Sequence, residues 1–74
     1  MNKIIPGTTI TAPQSTGKVV DGSVVMVDVT RTWNVLAEAN EAGMLRVECI
    51  DETAARFGNM GWIAESAATV LVAA

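Results

Sequence analysis

Residues 43–64 constrain the fold of this chain more than any other stretch. In Met44-Leu45-Arg46-Val47-Glu48-Cys49-Ile50, Leu45, Val47 and Cys49 fall on one side and Arg46 and Glu48 on the other. That period of two is the signature of a half-buried strand. After a polar interruption, Gly58-Asn59-Met60-Gly61-Trp62-Ile63-Ala64 sets a large aromatic between a glycine and a β-branched residue. The two segments predict a β-hairpin whose apolar face supplies half the core of a small barrel.

Size then limits what the barrel can rely on. A chain of 74 residues holds one domain, and a domain of that size is marginal without a staple. One cysteine, Cys49, closes no intrachain disulfide, and with no histidine there is no set of ligands for a structural zinc. Yet half of the residues are apolar and the mean hydropathy is +0.36. Oligomerisation is the staple that remains; the expected partner is a second copy of the chain, with another protein as a further partner.

The formal charge is −3, and the five basic residues, Lys3, Lys18, Arg31, Arg46 and Arg56, are scattered with no two adjacent. No basic stripe exists to displace counterions from a phosphate backbone, which disfavours nucleic-acid binding. The start of the chain has an apolar run of two residues before Pro6, too short for a signal peptide or a membrane span. The expectation is a protein of the cytoplasm, or of a virion, with its thiol reduced and no membrane partner.

Along the chain, residues 1–17 carry both prolines, Pro6 and Pro13, with Thr8, Thr9, Thr11, Ser15 and Thr16. Proline fixes φ and removes a ladder donor, so this part reads as an extended arm with a short edge strand around residues 8–12. Such an arm orders either against a partner chain or against the edge of its own barrel, and the residues do not choose between the two. The barrel is expected over residues 18–74. Asp21-Gly22 marks a tight turn, and the valine-rich strand 23–29 follows, with Val25, Val27 and Val29 assigned to the core and Val24 and Met26 to the opposite face. Residues 30–37 read as a strand and then a loop, with a short helix over 36–42 as the alternative. Residues 51–59 read as a loop or one helical turn that buries Phe57. Residues 65–68 predict a 3₁₀ turn and 69–72 a last strand. The fold class is therefore all-β, with five or six strands.

Residues 58–66, Gly-Asn-Met-Gly-Trp-Ile-Ala-Glu-Ser, resemble the Gly-x-x-Gly-Trp/Tyr-Ile/Val-Pro-x-Asn/Ser stretch of SH3-like barrels. Residues 44–50 are similar to the strand that pairs with it, and Val70 and Val72 would stand in the closing strand. The resemblance implies the barrel architecture and not the family's ligand. The chain has no tyrosine, offers Met44-Leu45 where aromatics line the polyproline groove, and has Ala64 in place of the proline. Without stacked aromatics a polyproline helix has no rails. The active-site Val-Gln-Ile-Tyr segment of the plasmid-type small-barrel dihydrofolate reductases has no counterpart either.

Chemistry is sparse. Ala12-Pro13-Gln14-Ser15-Thr16-Gly17-Lys18-Val19 lacks the first glycine and the final hydroxyl of a phosphate loop. Cys49 has no histidine to act as base, and its place beside Val47 makes it a core residue. Glu48, Asp51 and Glu52 read as a solvated loop beside Arg46 or Arg56 rather than a cation site. No catalytic, metal or cofactor residue is expected. Of the two tryptophans, Trp62 is expected half-exposed at an interface together with Val24, Met26 and Met60. The composition points to a non-catalytic module that self-associates, such as a phage or mobile-element structural protein. The alternative is a bacterial SH3-like ligand-binding module or a small-barrel oligomeric enzyme whose site forms between subunits, around Trp62 or Gln14.

Overall fold

The computed structural model describes residues 3–74. Five strands form one antiparallel sheet in the order β4-β3-β2-β1-β5: β1 (Thr9–Val20), β2 (Ser23–Ala37), β3 (Met44–Cys49), β4 (Met60–Ala64) and β5 (Thr69–Val72). A single helical turn, α1 (Ala54–Phe57), joins β3 to β4, and a 3₁₀ turn (Glu65–Ala67) joins β4 to β5. The chain is all-β as expected, and no described helix is long and apolar enough to cross a membrane.

The sheet curls. Gln14 on β1 and Gly61 on β4 are separated by two intervening strands, which in a flat sheet would set them about 14 Å apart. A Cβ on Gly61 would instead lie 3.3 Å from Gln14 Nε2 and 3.3 Å from the ring of Trp33. The glycine leaves the slot that the indole fills, so the second glycine of the 58–61 motif is a packing requirement. Ile10, Trp33, Val35, Leu45 and Val47 are essentially inaccessible, with Ile4, Ala12, Cys49 and Ile63 buried around them. Leu45, Val47, Cys49 and Ile63 are thus where the alternation placed them, and β3 pairs with β4 in the register Met44↔Ala64 to Glu48↔Met60.

The β2–β3 connection is a loop because Asn40 organises it. Its side-chain oxygen accepts from the N–H groups of Ala42 and Met44, each at 3.0 Å, and Gly43 turns the chain with φ 77°. That local bonding competes with helix formation and explains why the good helix formers of 36–42 do not form one.

Two expectations need correction. From Thr9 onward the segment assigned to an arm is β1, paired with β2 without a break from Thr9↔Asn34 to Val20↔Ser23, so the boundary at 17/18 falls inside a strand; residues 1 and 2 lie outside the described residues. Val25, assigned to the core, is 44% exposed, and Val27 is only half-buried. Both follow from length. β1 and β2 have 12 and 15 residues, whereas β3, β4 and β5 have 6, 5 and 4. The other strands cover only the half of the hairpin nearest the body, and the molecule measures 44 × 25 × 16 Å.

Candidate interaction surface

The uncovered half of the β1–β2 hairpin is an arm, built of two strands rather than of the N-terminal segment. Its tip is a two-residue turn in which Asp21 and Gly22 have φ 50° and 79°, the pair of positive values that a type I′ hairpin turn requires. Val20↔Ser23, Val19↔Val24, Lys18↔Val25, Gly17↔Met26, Thr16↔Val27 and Ser15↔Asp28 are the register pairs leading back to the body. Each face of the arm exposes apolar side chains. One carries Val19, Val24 and Met26, the last two 70% and 64% exposed; the other carries Val20 and Val25, then Val27 and Val29 as it reaches the body. A Ser15 hydroxyl donating to Asp28 Oδ1 at 2.7 Å is the cross-strand polar link on the arm.

Met60 and Trp62 stand on β4, 48% and 53% exposed. By register they share the outer face of the sheet with Val24 and Met26, because Met60 pairs with Glu48, Glu48 with Asn34, Asn34 with Thr9, and the same parity runs out along β1 to Gly17↔Met26. Polar Thr9, Thr11, Thr30, Thr32 and Asn34 lie between. The four residues expected at an interface therefore form two apolar clusters on one face, at opposite ends. Sequence reasoning missed Val19 as a member of the arm's outer cluster, and Val20 and Val25 as exposed residues of the arm's other face. Asp21-Gly22 was the available signal: a two-residue turn there forces Val19 opposite Val24 and carries the strand on into residues 9–17.

At the root of the arm, Arg31 is 1% exposed although it points into the core side of β2. Its guanidinium stacks 4.5 Å from the Trp33 ring centroid and 5.8 Å from that of Phe57. Nε donates to Thr53 Oγ1 at 2.7 Å, Nη1 to Gln14 Oε1 and Nη2 to the carbonyl of Gly58. The acceptors come from β1, from the β3–α1 loop and from the residue after α1, so one side chain ties the arm to the loop. Phe57, expected to bury itself, instead forms the half-exposed lid of this stack. Gln14 is engaged inside the molecule rather than facing a pore.

Asp51 secures the same loop. Oδ2 accepts from the Thr32 N–H at 2.6 Å, and Oδ1 from the Thr53 N–H at 2.8 Å, the Thr53 hydroxyl and Cys49 Sγ at 3.3 Å. The Thr53 hydroxyl, with the Thr32 amide next, holds the Asp51 carboxyl well below the usual carboxylate range against the opposing effect of burial. Asp51 is thus a structural anchor, not a member of an open acidic cluster with Glu48 and Glu52. Cys49 is 4% exposed and packs within the core. No group of three potential metal ligands occurs among the described residues. The arrangement joins a small body with a buried core to a two-stranded projection that exposes apolar side chains.

Comparison with protein-family models, curated proteins and solved structures gave no match.

Proposed function

We propose that the protein is a non-catalytic self-association module whose arm packs against further copies. The observation that carries this reading is the arm itself. A two-stranded hairpin alone in water is at best marginally stable, and this one exposes Val19, Val20, Val24, Val25 and Met26 on its two faces. Burying each such side chain is worth about 1.5–3 kcal/mol. A core of nine buried apolar residues among those described has little stability to spare for holding that surface in water. Contiguous exposed apolar surface of this kind marks an interface. The body supports the SH3-like reading: a four-strand meander with the fifth strand returning beside β1 after a 3₁₀ turn has the strand order of such barrels. A projecting arm on a small barrel suits a repeated structural component, such as one of a phage or mobile element. Met26→Lys tests the reading, because it places a charge on the outer face of the arm far from the core. Light scattering should show its mass falling toward the monomer, with the far-ultraviolet circular dichroism of the body retained. An unchanged mass would reject the arm as the interface.

A further inference from the structure

Self-association through the arm does not by itself dictate how two arms meet, and any specific pairing of their edges rests on that reading. Main-chain groups along a strand point alternately to its two sides. In β1 the even residues face β2: Thr8 O accepts from Val35 N at 2.9 Å, and the two-residue turn makes Val20↔Ser23 a hydrogen-bonded pair. The odd residues face away. Thr9 and Thr11 meet β5 at Val72 and Thr69, and beyond them no strand lies on the outer side of β1 among the described residues. Pro13 is the next outward position, and it has no N–H to offer, so β5-type pairing stops there. Ser15, Gly17 and Val19 follow, with outward donors and acceptors free.

We propose that two copies of the chain join their arms edge to edge, β1 antiparallel to the partner's β1, around a two-fold axis at Gly17. Gly17 is the midpoint between Pro13 and the turn at Asp21. The pairing sets Gly17 against the partner's Gly17 and Ser15 against the partner's Val19, and forms about six main-chain hydrogen bonds. Two further observations favour this edge over the edge of β2. A Cβ on Gly17 would lie 3.3 Å from Val24 Cγ1, so the glycine lets Val24 lean across β1 and bring apolar surface up to the seam. On the other face, Thr16 Oγ1 is the one buried side-chain polar atom without a hydrogen-bond partner among the described residues, and the pairing puts the partner's Lys18 directly across from Thr16. On β2 the outward run ends at Thr32, whose N–H and carbonyl are already taken by Asp51 and Ile50, so that edge has fewer free main-chain groups to offer. The result is a four-stranded ribbon, closed by symmetry, with the apolar faces of both arms continuous across it.

The test uses the full chain. Ser15→Cys and Val19→Cys variants are mixed and oxidised gently; their Cα atoms would sit about 5.5 Å apart across the seam, within disulfide reach. The expected product is a disulfide-linked dimer of one variant with the other, in several-fold excess over either variant linked to itself. Ser15→Pro, which removes an outward N–H and leaves the β1–β2 ladder intact, should halve the solution mass while Ser15→Ala does not. A wild-type chain that self-associates, together with variants that cross-link without this selectivity, would overturn the edge pairing and leave self-association standing. A monomeric wild-type chain would overturn both.

Discussion

Arg31 lies over Trp33 with its guanidinium carbon 4.5 Å from the ring centroid, two residues away on the same face of β2. The tryptophan closes the core and the arginine closes the tryptophan. The face that is apolar at Trp33 and Val35 becomes polar at Arg31, and just there the sheet stops being covered and the arm begins. The buried charge is compensated by a hydroxyl, an amide and a carbonyl together with two aromatic faces.

Lysine cannot replace this arginine. An ammonium offers no planar fork to reach Thr53, Gln14 and Gly58 at once and no flat face to stack on indole. Arg31→Lys should lower stability by about 3 kcal/mol, since it leaves buried acceptors unpaired. Chemical denaturation followed by tryptophan fluorescence measures it, and a midpoint equal to that of the wild type would show that the stack holds nothing together.

Acid should loosen the β3–α1 loop through Asp51. Its folded-state value is depressed below that of the unfolded chain, so the unfolded state binds more protons in the acid range and stability rises with pH there. The contribution is complete above about pH 5 and is lost as pH falls below the ordinary aspartate value of about 3.9 toward the folded one. Melting temperature measured from neutral pH down to about pH 2 should fall in the wild type. Asp51→Asn should lie lower at neutral pH and fall less steeply.

Two apolar positions separate the body from the arm. Leu45→Ala removes a fully buried side chain and should cost about 2–4 kcal/mol. Val25→Ala, on the arm, should cost under about 1 kcal/mol in the isolated chain, because the site is already in water. Equal losses in a dilute sample would mean that the arm packs on its own body.

The contrast at Val25 also shows how far the sequence was legible. Alternation located β3 and β4, their inner face and the buried Cys49, because period two reports which side of a strand is apolar. It is silent on whether anything covers that side. Val25, Val27 and Val29 read as core by pattern, and only the lengths of the neighbouring strands decide that Val25 is bare. The prolines hid β1: Pro13 argues against a paired strand unless its nitrogen faces an open edge, which is where the structure puts it. Arg31 gave no signal in sequence, since its partners Gln14, Thr53 and Gly58 are 17, 22 and 27 residues distant. Val24, Met26, Met60 and Trp62 were legible as exposed apolar residues, while their division into two clusters needed the register.

If another copy of the chain covers the arm, the mass of the wild-type protein must depend on concentration, and sedimentation equilibrium over a wide concentration range measures that dependence. The mass should rise to a defined multiple of 7.8 kDa, and a single species of 7.8 kDa at high concentration would rule out a covering copy.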